Sequence, residues 1–382
     1  MKIKIDLERD KNLTSFGIST IQDRYFDKNE TSPQQAFARA SKYVSTYRGK
    51  TDWDMAQRIY DYASKIWFGF SSPILSNAGT KKGLPISCFL NYVPDSRRGL
   101  SDHYDENIWL ASNGGGIGGY WGDIRSDGTS TSHGSMSTGS IPFMRVVDSQ
   151  MLAFNQGTTR RGSYACYMDV SHPEIEEFLF MRKSSGGDAN RKCLNLHHGI
   201  NITDDFMNAV SKNIDWKLID PHSKKIAKSI NARELWRLIL ETRHETGEPY
   251  LHFIDTSNKN LPESQQKLGL KVNQSNLCSE ITLPTNEERT AVCCLSSVNL
   301  AQYDEWSTSA TFIPDMIRML DNVLEHFIMA TYNFSYDYKG NILDMKVKEE
   351  MSGFEKSGYS AYRERSVGLG AMGFHTYLQK LN

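Results

Sequence analysis

A chain of 382 residues is long enough for one large domain and a smaller one, and its formal net charge of -1 gives no overall field that would draw it to nucleic acid or an acidic membrane. No apolar stretch approaches the roughly 20 residues needed to cross a bilayer, and the N-terminal MKIKIDLERDKN lacks the apolar core of a secretory signal. Six dispersed cysteines, Cys88, Cys166, Cys193, Cys278, Cys293 and Cys294, do not form the dense pattern of a small disulfide scaffold and fit a reducing, cytoplasmic setting.

In chain order, the first seventy residues read as a helical region. Thr31-Ser32-Pro33-Gln34-Gln35 supplies an N-cap, a first-turn proline and a capping-box glutamine, and Ala36, Phe37, Ala40, Tyr43, Val44 and Tyr47 share one helical face. Trp53, Ala56, Tyr60, Ala63 and Trp67 form a second amphipathic run closed by Gly69. From Ser71 the pattern changes. Short apolar runs, Ile86 to Val93, Ile141 to Val147 and Tyr164 to Val170, alternate with helix patterns at Ser171 to Arg182, Asn231 to Gly247 and about Pro314 to Tyr332, which argues for an α/β layer or barrel. Glu174 is expected to complete an S-x-x-E box with Ser171. Ser366 to Asn382 reads as a strand and an amphipathic helix whose sheet edge and apolar face call for a further partner, with an ordinary C-terminal helix as the plain alternative.

Four segments carry candidate chemistry. Asn113-Gly114-Gly115-Gly116-Ile117-Gly118-Gly119 contains G-x-G-x-x-G, but a helix-like stretch (Asp102 to Ala111) precedes it and Tyr-Trp-Gly-Asp follows, so it is not a dinucleotide fingerprint; the glycines instead let the backbone pass close to another segment or a ligand. Gln156-Gly157-Thr158-Thr159-Arg160-Arg161-Gly162 places paired guanidiniums on a glycine-containing loop, which suits phosphate recognition, with a solvated loop as the plain alternative. Cys193 with His197 and His198 lacks a second pair at zinc spacing, so a buried thiol near surface imidazoles is preferred. In Asn276-Leu277-Cys278-Ser279-Glu280 an extended backbone would set the thiol between an amide and a carboxylate. A cysteine nucleophile would also need a base histidine, and none lies in a recognisable motif.

With these segments in view, the sequence resembles the large subunit of class I ribonucleotide reductases over essentially its whole length. The resemblance rests on Ser72-Pro73-Ile74-Leu75-Ser76-Asn77-Ala78-Gly79-Thr80 with Ser87-Cys88, the Gln156 to Gly162 loop, Gly247-Glu248-Pro249-Tyr250, Asn276 to Glu280, and Cys293-x-Leu-Ser-Ser-x-Asn-Leu, in the family's order. It implies residues 1–70 as an N-terminal helical region and 71–382 as the first part of a ten-stranded α/β barrel, incomplete in this chain. Cys278 would form a thiyl radical that takes the 3' hydrogen of a ribonucleoside diphosphate, Glu280 would handle the 3' hydroxyl proton, and Asn276 would hydrogen-bond the substrate. Cys88 and Cys293 would supply two electrons and end as a disulfide, with Cys293 chosen over Cys294 by its place in the motif. Ser72, Ser87, Gln156, Arg160 and Arg161 would bind substrate. Asp95, Ser112 and Arg125 would contact an effector such as dTTP, dGTP, dATP or ATP. Arg161 stands where some relatives have glycine.

The resemblance also implies partners and departures. A metal-containing small subunit would supply the radical, large subunits would dimerise, and thioredoxin or glutaredoxin would be the reductant. No ATP-cone is recognised, and the second substrate-phosphate segment, the radical-transfer tyrosines and the terminal cysteines do not occur, so the chain is expected to be one piece of a split or truncated large subunit completed by a separate C-terminal half. Two alternatives stand beside this reading: a class II adenosylcobalamin-dependent fragment, and a non-catalytic nucleotide-binding assembly module. Asp23-Arg24-Tyr25-Phe26 and the spacing 278 - 88 = 190 favour class I.

Overall fold

The computed structural model describes residues 2–86, 88–154, 162–337, 339 and 341–381. The chain divides into two compact units, residues 1–87 with 292–382, and residues 88–291. In the first unit, α1 spans Ser15–Tyr25 and α2 spans Pro33–Val44. Ser32 caps α2 by accepting the Gln34 N–H at 3.1 Å, while Gln35 reaches back to the Thr31 N–H at 2.7 Å, one residue earlier than a capping box. Ala36, Phe37, Ala40 and Val44 are buried toward α3, Trp53–Ser64, whereas Tyr47 lies beyond the helix and is exposed. α3 ends sooner than its apolar pattern implies. Ile66 takes a left-handed φ of 59°, and Trp67 leads into β1, Phe68–Phe70, so Gly69 lies in a strand rather than closing a helix. α4 follows at Ser72–Asn77.

The second unit runs β2 (Cys88–Tyr92), α5 (Arg97–Ser112), β3 (Gly116–Tyr120), α6 (Ile141–Ala153), β4 (Ser163–Asp169), α7 (Ile175–Phe180), β5 (His197–Ile202) and α8 (Asp204–Lys212). A hairpin of β6 (Asp215–Ile219) and β7 (Ile226–Asn231), α9 (Ala232–Thr246), β8 (Tyr250–Phe253) and α10 (Ile254–Lys259) follow. The strands lie side by side in the order β8, β5, β4, β3, β2, every neighbouring pair parallel. Strands covered on both faces carry continuous apolar runs, and Tyr164 to Met168 of β4 have no exposure at all.

Two expectations are corrected in this unit. Ile141 to Val147 is the first half of a helix: Pro142 occupies its first turn, and Ile141, Met144, Val147 and Met151 recur at helical spacing and are buried. The helix expected over Ser171 to Arg182 is confined to Ile175–Phe180, and Glu174 closes no capping box. Its carboxylate instead accepts the Ser140 N–H at 2.8 Å and the Ser140 hydroxyl at 3.0 Å. The helix expected at Asn231 to Gly247 is present, with Asn231 accepting the N–H groups of Arg233 and Glu234 and Gly247 left-handed at its end.

The first unit resumes at β9, Ala291–Asn299, which pairs antiparallel with β1 and parallel with β12, Val367–Met372. α11, Phe312–Thr331, supplies much of this unit's core through Phe312, Met316, Leu320, Val323 and Phe327. The hairpin β10–β11 (Tyr332–Tyr336 and Ile342–Val347) and α12 (Glu355–Glu364) lead to β12, and α13, Phe374–Leu381, follows it, so the strand and helix expected at the C-terminal end are both present. Phe374, Leu378 and Leu381 are exposed on α13.

Candidate active site

The glycine run forms β3, with helix α5 before it, which is the wrong order for a dinucleotide turn. Its purpose is close approach. A Cβ at Gly118 would stand 2.0 Å from the backbone oxygen of Ser275, and one at Gly119 would stand 1.6 Å from the Tyr164 hydroxyl oxygen. Only glycine lets the 271–285 segment lie directly on this strand.

That segment carries Cys278 and is tied down residue by residue. Asn258 and Val272 exchange two hydrogen bonds at 2.9 Å. The Asn201 amide donates to the Asn273 oxygen at 2.7 Å and to Asp169 at 2.8 Å. Gln274 donates to the backbone oxygens of Asn91 at 2.8 Å and Gly118 at 3.2 Å, and accepts the Thr285 hydroxyl at 2.9 Å. Tyr167, fully buried on β4, donates its hydroxyl to the Asn276 oxygen at 2.7 Å, and burial raises its pKa far enough to keep it a donor.

The tip is a turn, not the extended strand expected. The Ser279 N–H reaches the Asn276 oxygen at 3.2 Å, and Ser279 holds a left-handed φ of 65°. The Asn276 side-chain oxygen accepts both the Glu280 and the Ile281 N–H at 3.0 Å. Asn276 is fully buried and its Nδ2 has no partner among the described residues. Cys278 and Glu280 are exposed on the same turn.

The remaining cysteines are buried. Cys88 begins β2 and is 8% exposed. Cys293 and Cys294 are successive residues of β9 and so point to opposite faces of it; a Cβ at Gly368 would lie 3.4 Å from the Cys293 sulfur. Burial pushes the Cys193 thiol up to about 12 and the Cys166 thiol well above its ordinary value, which makes both inert. The histidines near Cys193 are not the surface pair expected. His198 is fully buried, and its Nδ1 and N–H, with the His197 ring, converge on the Glu248 carboxylate. Burial pushes that carboxyl up, but these donors and Arg182 outweigh it and hold it below the usual range. Among the described residues no cluster of His, Cys, Asp or Glu could hold a metal ion.

Asp95 and Arg125 meet: Arg125 Nε lies 2.9 Å from Asp95 Oδ2, and His222 Nδ1 lies 3.3 Å from the same oxygen. The loop after Arg125 is fixed by buried Asp220, which accepts the Ser126 N–H and hydroxyl at 2.8 Å and the Thr129 hydroxyl at 3.0 Å. A polar cavity of about 540 Å³ opens between Ser126–Ser130 and the tip of the β6–β7 hairpin, with His222, Ser223 and Lys225 on its wall. Ser112 ends α5. Ser72, in the first turn of α4, is exposed and shares a hydrogen bond with the Tyr25 hydroxyl at 3.0 Å. Ser87, Gln156, Arg160 and Arg161 lie outside the described residues. Gly162 packs on α5, where a Cβ would meet Ala111 at 2.9 Å.

Sequence reading missed Tyr167, Asn201, Asp220 and Gln274. The one available signal was the run of four uncharged polar residues Asn273-Gln274-Ser275-Asn276, unusual for a segment whose last three are fully buried.

A parallel α/β sheet with an exposed-cysteine loop pressed onto a glycine strand defines an α/β fold with a candidate reactive thiol. The model of the ribonucleotide reductase barrel domain matches residues 86–382, and that of the ribonucleotide reductase all-alpha domain matches residues 11–83. The chain belongs to the ribonucleotide reductase large-subunit family. A Frog virus 3 chain assigned as a ribonucleoside-diphosphate reductase large subunit is 50% identical over 327 residues, covering 86% of this chain and 54% of its own length. The ribonucleoside-diphosphate reductase large subunit of Invertebrate iridescent virus 3 is 40% identical, covering 99% and 64%. The Actinobacillus ureae class Id ribonucleotide reductase alpha subunit superposes with a TM-score of 0.77 at 28% identity, over 99% of this chain and 62% of that one. The chain thus spans between about half and two thirds of the length of these relatives.

Proposed function

We propose that this chain carries the reactive-cysteine portion of a ribonucleoside-diphosphate reductase large subunit. The observation that carries the reading is the anchored turn that presents Cys278 beside Asn276 and Glu280. A thiyl radical on Cys278 takes the 3' hydrogen and becomes a thiol; Glu280 accepts the 3' hydroxyl proton; a thiol of the Cys88 and Cys293 pair protonates the 2' hydroxyl, which leaves as water. Asn276 hydrogen-bonds the substrate. Cys88 and Cys293 give two electrons by forming one S–S bond, their second hydrogen passing to the 2' carbon; Glu280 returns its proton to the 3' oxygen, and the hydrogen returns from Cys278 to the 3' carbon, restoring the thiyl radical. Ser72, Ser87, Gln156, Arg160 and Arg161 complete the substrate's contacts.

A nucleoside triphosphate effector contacts Asp95, Ser112 and Arg125; the polar cavity beside Arg125, with Lys225 on its wall, supports that placement. The radical comes from a metal-containing small subunit, large subunits pair, and thioredoxin or glutaredoxin restores the dithiol. The test is ribonucleoside diphosphate reduction by this chain, alone and with the portion of a relative's large subunit that it does not span, mixed with a radical-bearing small subunit. Activity in the mixture alone is expected; activity with adenosylcobalamin and no small subunit would move the assignment to class II, and no activity in any arm would leave a binding module.

A further inference from the structure

The inner face of α5 carries polar residues where a helix packed on a sheet ordinarily buries apolar ones. Glu106 is 6% exposed and Asn107 fully buried. Glu106 accepts the Thr290 hydroxyl at 2.6 Å and the Asn91 amide at 3.2 Å, and the same Asn91 amide donates to Asn107 at 2.9 Å. Asn91 in turn offers its backbone oxygen to Gln274, four residues before Cys278. The two stems of the cysteine segment, at Gln274 and Thr290, are therefore bound to one helix through buried groups. The Asn91 side-chain oxygen has no partner among the described residues, but every bond named here joins buried groups that have no water to replace it, so breaking one leaves a further donor or acceptor unpaired.

The geometry points to Glu106 and Gln274 as positioning residues that hold the Cys278 turn in place, an inference that rests on the catalytic reading of Cys278. Neither touches the reacting atoms; Glu106 acts through Thr290 and Asn91, and Gln274 through the backbone it pins. Their loss frees the turn without removing any group from it.

The test is the rate of amide hydrogen exchange in the peptide that carries Glu280 and Ile281, whose N–H groups Asn276 holds, read by mass spectrometry in the intact chain. Gln274→Met removes its two donor bonds and the one it accepts from Thr285, Thr290→Val removes the hydroxyl bond to Glu106 at nearly constant volume, and Ile239→Val, a buried change in α9, is the control for general loss of stability. Thr290→Val is expected to raise the rate about fivefold, the factor set by one hydrogen bond's net contribution to local closure, and Gln274→Met by more, while Ile239→Val leaves it unchanged. Thr290→Val carries the test if Gln274→Met does not fold. Unchanged rates in both variants, or an equal rise in the control, would overturn the inference. In the complete enzyme the same variants are expected to lower kcat with KM unchanged; faster exchange with unaltered kcat would reject the catalytic reading of Cys278 while leaving the anchoring in place.

Discussion

Tyr167 and Asn276 are joined by one hydrogen bond, from the phenolic hydroxyl to the backbone oxygen at 2.7 Å, two residues before Cys278. Tyr167 has no solvent exposure, so its hydroxyl has no water to turn to if the turn moves away. Tyr167→Phe is expected to lower unfolding free energy by about 1 kcal/mol in urea titrations and to lower turnover in the complete enzyme. Unaltered stability and turnover would show that the bond does not hold the turn.

Gly118 tests the close approach of strand and loop. A methyl group there would sit 2.0 Å from the Ser275 oxygen, a backbone atom that cannot rotate aside. Gly118→Ala should cost roughly 1–3 kcal/mol by overpacking and displace the cysteine segment. Gly128→Ala, where a Cβ meets nothing within 4 Å but φ is +75°, separates backbone strain from collision and should leave amide exchange at the Cys278 turn unchanged.

Cys293 and Cys294 separate the proposed reductant from its neighbour, because a strand turns their sulfurs to opposite faces. Cys293→Ser should abolish dithiol-dependent turnover in the complete enzyme and Cys294→Ser should retain it. The reverse result would reassign the electron donor.

Asp220 makes an acid-stability prediction. Burial pushes its carboxyl up, yet the Ser223 and Ser126 donors outweigh that and hold it below the ordinary carboxylate range. A carboxyl whose folded pKa lies below its unfolded value stabilises the fold above the unfolded value, and that contribution fades as pH falls toward the folded one. Asp220→Asn should therefore cost about 1–3 kcal/mol at pH 7, and the gap from the parent protein should narrow as pH drops below about 4. Isothermal titration with nucleoside triphosphates should show weaker binding, since the loop beside Arg125 loses its anchor.

Helix boundaries were legible where caps are local: Ser32 before Pro33, and Asn231 and Gly247 around α9. They failed where a distant partner decided the outcome. Glu174 answers to Ser140 rather than to its own helix, and α3 is cut short by a left-handed Ile66 that no apolar period reports. The cysteine segment was legible as a motif, but its shape was not, because the Asn276 side chain folds back on its own backbone and closes a turn. The glycines of β3 announced a close approach, and the segment that approaches proved to be the one carrying Cys278.

The most direct measurement is ribonucleoside diphosphate reduction by this chain, the portion of a relative's large subunit that it does not span and a radical-bearing small subunit, with and without Cys278→Ser. Deoxyribonucleotide formed by the parent mixture and absent with Cys278→Ser is the expected result. Undiminished product from the Cys278→Ser mixture would contradict the assignment of Cys278 as the radical-bearing residue.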